Sequence, residues 1–151
     1  MRADGKFDAV CAGALDFGLD LIFRGYKVGV VVFSDRTLAT NATGDSVAFT
    51  EKIRRLVCTS GGTYLTSALE FVAKHKPDSV LVVTDGAVQD AAQCLVAADR
   101  LKAMGAEIRT IGTDDANRKF LKRLASRPDL GKKVPRAELA QAIIDTSKLL
   151  R

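Results

Sequence analysis

Tryptophan is absent, histidine occurs once, and three prolines and three cysteines are spread over 151 residues. The lone histidine, His75, stands between Lys74 and Lys76 near an expected helix C-terminus, where a surface role is the natural reading. No serine or cysteine has a histidine and an acid at local motif spacing, so no catalytic residue is assigned. Cys11, Cys58 and Cys94 are odd in number and lack metal-ligand spacing. That argues against a disulfide framework or a zinc site and points to a reducing, cytoplasmic setting with the thiols as small buried hydrophobes. No apolar run approaches the roughly 20 residues that span a membrane. The longest, Val28 to Phe33, has the length of a strand. Asp4, Asp8, Asp16 and Asp20 interrupt every apolar stretch of residues 1–25, which excludes a signal-peptide pattern there. Walker A and dinucleotide fingerprints are missing.

What is present is a hydrophobic fraction of 47% and a charged fraction of 27%, which favours a packed core over disorder. The net charge of +5 is unevenly placed. Between Arg118 and Arg136 eight basic residues face a single acid, Asp129. A solvated helix face and loop is the simpler reading of that segment, and a nucleic-acid partner is not expected.

The hydrophobic pattern alternates between two periods. Helical spacing covers residues 6–24, 45–57, 64–74, 89–104 and 137–150, and a further helix presents Phe120, Leu121 and Leu124, capped by Asp114 or Asp115. Short valine- and isoleucine-rich runs at 27–33, 79–84 and 107–112 read as buried strands. Weaker strands are expected at 38–41 and within 131–135. This alternation predicts an α/β fold with three layers, a doubly wound and mainly parallel sheet between helices. It opens on a helix, without the leading strand such folds usually have.

In a doubly wound sheet, ligands gather beyond the carboxyl ends of the strands. Polar groups recur there: Ser34–Asp35, Thr84–Asp85–Gly86 and Thr113–Asp114–Asp115, with Ser60–Gly61–Gly62–Thr63 leading into a helix. Carboxylate and hydroxyl oxygens suit Mg²⁺ or Mn²⁺. Each also has a plain structural use: Asp35 solvating a turn, Asp114 capping a helix, Gly61 and Gly62 forming a turn.

The series KVGVVVFSD, TSGGTYLTSALEFV, SVLVVTDG and LKAMGAEIRTIGTDD, followed by FLKRLAS, resembles a von Willebrand factor type A domain. The resemblance covers nearly the whole chain in order and spacing. It implies a Rossmann-like sheet and a metal ion-dependent adhesion site, with Thr63 and Asp85 as metal ligands. Ser34, Asp35, Gly61, Gly62 and Asp114 would line the partner-binding rim. The family's opening strand and its Asp-x-Ser-x-Ser loop have no counterpart here. Residues 1–151 are therefore read as a single, N-terminally truncated domain whose opening central strand is missing, its slot filled from a neighbouring chain or closed. A truncation, a start assigned to an internal methionine and a strand from another chain are all open readings. Asp4 caps the first helix or imitates a lost ligand.

The expected function is a non-catalytic protein-interaction module with a partial adhesion site. Its partner is a protein, engaged through an acidic residue, with strand donation from another chain and only weak Mg²⁺ binding by this chain alone. The alternative is a Mg²⁺-dependent phosphohydrolase built on Asp35, Asp85 and Asp114. The expected strand order is 38–41, 27–33, the slot, 79–84, 107–112 and the short C-terminal strand.

Overall fold

The computed structural model describes residues 5–34, 37–56 and 63–150. The expected elements form in the expected order. They are α1 (Lys6–Phe23), β1 (Val31–Phe33), β2 (Thr37–Ala39), α2 (Ser46–Arg54), α3 (Thr66–Lys74), β3 (Ser79–Thr84), α4 (Ala91–Ala103), β4 (Glu107–Gly112), α5 (Arg118–Leu124), β5 (Gly131–Lys133) and α6 (Leu139–Ser147).

The strands make two ladders. β3, β4 and β5 pair in parallel, while β1 and β2 form an antiparallel pair. Among the described residues no ladder joins β1 to β3, and the two meet through side chains, Val31 and Phe33 packing in the same cluster as Val80 and Val82. The first strand is shorter than its apolar run suggested. Thr40 explains this locally: its hydroxyl accepts from the Val30 N–H at 3.1 Å and so ends the ladder. Val28 then makes only an isolated bridge to Thr43.

Period-two alternation along β3 sends side chains to opposite layers. Val82 joins Leu65, Leu69, Leu101, Ile108 and Leu124 in a core under α3, α4 and α5, against which Val31, Phe33 and Val80 also pack. Leu81 and Val83 point the other way, toward Ile111, Leu139, Ile143 and the α1 residues Val10 and Phe17. α1 also carries Cys11, Ala14 and Leu15 to a third cluster with Phe49, Ile53, Val28 and Val30. Thus α1 lies across both ladders. Along its 18 residues only Gly13, Gly18, Leu21 and Ile22 are fully buried, and Phe7, Val10 and Leu15 are half-buried.

Two contacts fix α1 against its neighbours. Gly18 admits the Phe49 ring, because a Cβ on Gly18 would lie 2.1 Å from Phe49 Cζ. At the far end, the Arg24 guanidinium donates to the Ser147 carbonyl at 2.6 Å and to the Leu150 carbonyl. It thereby satisfies acceptors that the end of α6 leaves unpaired. The left-handed Gly25, at φ 95°, turns the chain out of α1 as expected.

Gly18→Ala is expected to push Phe49 from its seat and cost about 1–3 kcal/mol, the usual range for overpacking. Chemical denaturation of the wild type and the variant reads this directly, and equal midpoints would refute the tight α1–α2 contact.

Candidate functional site

The β3–β4 register runs from Ser79 opposite Glu107 to Thr84 opposite Gly112, so both strands end at the same level. The pairing continues just past the strands, with Thr113 N–H donating to the Thr84 carbonyl at 3.1 Å and Asp115 N–H to the Asp85 carbonyl at 3.0 Å. This places Asp85 and Asp114 on neighbouring turns. Asp114 itself adopts a left-handed backbone, φ 53°, which aspartate tolerates better than most residues. It does not cap α5. That role falls to Asn117, whose Oδ1 accepts from Phe120 N–H at 2.9 Å. The cap expected of Asp114 or Asp115 is corrected accordingly: the turn needs both residues before the helix begins.

Asp85 and Asp114 converge on one cation. Lys6 Nζ donates to Asp85 Oδ2 at 2.9 Å and also to Asp114 Oδ2. Arg136 completes the set, its Nη2 donating to Asp114 Oδ2 at 2.9 Å and its Nε to Oδ1 at 3.3 Å. These ion pairs hold the Asp114 carboxyl below the ordinary aspartate value, the bond from Lys6 contributing most and that from Arg136 next. The same bonds, to Asp114 first and Asp85 second, raise the Lys6 ammonium above the usual lysine value.

Thr63 stands next to the turn that carries Asp85. A Cβ on Gly86 would lie 3.8 Å from Thr63 Oγ1, so the hydroxyl stands beside the Asp85–Gly86 turn. The Thr63 segment is fastened to the segment before α4. Thr63 N–H donates to Gln89 Oε1 at 2.6 Å, and Gln89 N–H donates to the Thr63 carbonyl at 2.8 Å. Asp90 then receives Leu65 N–H at 3.0 Å and Thr66 N–H at 2.9 Å, one on each carboxylate oxygen. Asp90 precedes α4 in the chain yet satisfies the orphan donors at the start of α3. Burial alone would raise the Asp90 carboxyl. The hydrogen bonds from Thr66 and Leu65 outweigh it and bring the value below 3.8. Next to it, burial pushes the fully buried Cys94 thiol up to about 11, consistent with an inert core position.

Ser34 departs from the expected rim. It is 7% exposed, and its carbonyl accepts from Tyr64 N–H at 2.9 Å. Burial under the Thr63 segment makes it a support for that segment and takes it off the surface. Asp35, Gly61 and Gly62, like Asp4 and Cys58, lie outside the described residues. His75 is exposed at the end of α3, its Nδ1 3.1 Å from the Phe71 carbonyl.

The basic segment contributes one side of the site. Arg118, Lys133 and Arg136 line an open cleft of about 270 Å³ with Thr113, Asp114, Val134 and Pro135. Lys119, Lys122, Arg123, Arg127 and Lys132 are exposed, as a solvated face requires.

Hard oxygen donors are gathered here, but their arrangement is not that of a metal cage. No three His, Cys, Asp or Glu side chains among the described residues converge as ligands. The point between Asp85 and Asp114 is held by the Lys6 ammonium. As arranged, the described residues do not fit a divalent cation.

Lys6, Gln89, Asp90 and Arg136 were not singled out from sequence. Lys6 and Arg136 carried a signal: a cation in the first turn of a helix opposes the macrodipole and needs a compensating partner, and Arg136 closes the basic segment.

Asp90→Ala is expected to cost about 1–2 kcal/mol, the range for losing a capping side chain. Because the folded Asp90 value is depressed, its contribution is complete above pH 3.8 and is lost as pH falls through the folded value. The variant should therefore lose less stability than the wild type on acidification below pH 3.8, measured by urea unfolding across that range. Parallel pH profiles would remove Asp90 from this role.

Comparison with known proteins follows the same outline. The collagen alpha-4(VI) chain of Mus musculus is 30% identical over 127 residues, which cover 74% of this chain and 5% of that one. The chain thus spans a small part of that relative's length. The structure of proximal thread matrix protein 1 from the mussel byssus with a zinc-occupied MIDAS motif aligns with a TM-score of 0.76 at 21% identity. It covers 93% of this chain and 42% of that one. Manganese-loaded TRAP protein of Plasmodium vivax aligns at 0.67 with 21% identity, covering 89% and 64%. At these identities the structures show a shared fold. The family profile described as von Willebrand factor type A domain matches residues 15–146, and the chain belongs to that family.

Proposed function

We propose that this domain is a non-catalytic protein-interaction module whose binding face is the carboxyl end of the sheet, a partial adhesion site around Thr63, Asp85 and Asp114. The observation that carries the reading is the convergence of Asp85 and Asp114 beside Thr63, each delivered by a different strand or loop and held by fixed partners. Such a constellation spends stability on orienting polar groups at a sheet end, where binding surfaces of doubly wound folds lie. The neighbouring cleft with Arg118, Lys133 and Arg136 favours an acidic group on the partner protein.

The same partner supplies a strand. β1 and β3 each carry a ladder on one edge only among the described residues, and α1 crosses above both. The half-buried Phe7, Val10 and Leu15 on α1 support an apolar strand between them. An extended segment there gains backbone partners on both sides, the mode of β-augmentation.

A lysine-solubilised peptide of alternating valine and isoleucine, ending in aspartate, is the probe. Added in excess, it is expected to raise the melting temperature by several degrees, because binding to the folded state alone stabilises it. The same peptide with central prolines lacks the required N–H donors and should leave the melt unchanged. Equal effects of the two peptides would overturn strand reception.

Mg²⁺ binds this chain weakly on the same reading. Mg²⁺ demands near-octahedral oxygen geometry and sheds water reluctantly, so an affinity no tighter than about 1 mM is expected by calorimetry. Phosphomonoester hydrolysis with Mg²⁺ should stay at the buffer rate, and turnover that Asp85→Ala abolishes would restore the phosphohydrolase alternative.

A further inference from the structure

We propose that Lys6 is a tethered cation whose ammonium, standing between Asp85 and Asp114 at the sheet end, closes these two carboxylates to a divalent metal. The inference rests on reading this sheet end as the binding face and adds a device within it.

Lys6 reaches partners 79 and 108 residues away in sequence, from the first turn of α1 to the turns after β3 and β4. The three side chains are only 12%, 21% and 22% exposed, so the contact is sheltered from bulk solvent. Two carboxylates on adjacent turns repel each other, and a positive charge between them is the direct remedy. A divalent ion held by one or two carboxylates and several waters would meet that need. Here the need is met from within the chain: the ammonium donates to both carboxylates, and Arg136 donates to both oxygens of Asp114. The cost of placing a lysine at a helix N-terminus, against the dipole, is offset by the same carboxylates. A metal entering this position must first displace Lys6 into solvent and leave α1 without its tie to the sheet end. A flexible lysine stem makes this a gate that a partner's own acidic group can open by competing for the ammonium.

The test is Mn²⁺ titration followed by electron paramagnetic resonance of the free ion, on the wild type, Lys6→Met and Lys6→Met with Asp85→Asn. The wild type is expected to leave Mn²⁺ largely free. Lys6→Met should bind at least about tenfold tighter, because removing the ammonium takes away a positive charge that repels the ion from both carboxylates. Adding Asp85→Asn should return the affinity to the wild-type value. A Lys6→Met chain that binds no better than a weak wild type overturns the gate and leaves the incomplete-site reading standing. A wild type that binds tightly overturns both.

Should Lys6→Met fail to fold, amine acetylation of the wild-type chain decides the matter by peptide mass spectrometry. Lys6 is then expected to react several-fold more slowly than Lys148, since its side chain is 12% exposed and its ammonium lies between two carboxylates, against 69% exposure for Lys148. Asp114→Asn should narrow the difference. Equal rates for Lys6 and Lys148 in the wild type would overturn the proposal.

Discussion

Six consecutive parallel pairs between β3 and β4, from Ser79 with Glu107 to Thr84 with Gly112, are the constraint on which the remaining structure depends. Side-chain period two makes that register decide both hydrophobic faces at once. Val82 and Ile108 go to the α3–α4 layer, while Leu81, Val83 and Ile111 go to the α1–α6 layer. The same register ends both strands at one level, so the turns that follow carry Asp85 and Asp114 to a common point. A slip of one residue would separate the carboxylates and invert the core together.

α1 couples the two halves of the sheet. Its middle touches the β1 side through Leu15 and the β3 side through Val10 and Phe17. Its ends are fastened by charge: Lys6 to the loops after β3 and β4, Arg24 to the end of α6. With no ladder between β1 and β3 among the described residues, side-chain packing under this helix and under α3 carries what backbone bonds carry elsewhere. Among the described residues β1 and β3 each carry a ladder on one edge only.

The site itself is organised by exchange between neighbouring loops. Gln89 and Asp90 belong to the approach to α4, yet they hold the Thr63 segment and the start of α3. Asp114 and Arg136 likewise join the turn after β4 to the segment before α6. Each such pair satisfies polar groups that an isolated loop would leave to water, which is how loops at the end of a sheet acquire fixed positions.

Much of this was legible in the residues. The alternation of periods gives the element order, and the apolar runs at 79–84 and 107–112 coincide with β3 and β4. The Thr84–Asp85–Gly86 turn and Thr63 were legible as polar groups at a strand end and before a helix, because strand ends and helix starts are local features. The shortening of β1 was not legible, since it depends on the Thr40 hydroxyl reaching across to Val30. Nor was the burial of Ser34 beneath the Thr63 segment, nor the diversion of Asp114 from capping to ion pairing. The sequence by itself determined which segments become helix or strand and which polar residues end the strands, because periodicity and turn chemistry act over a few residues. Only the tertiary structure decided which charge meets which: Lys6 meets Asp85 and Asp114 across 79 and 108 residues. Electrostatic pairing depends on distance in space, and that distance exists only once the β3–β4 register and the seat of α1 are set.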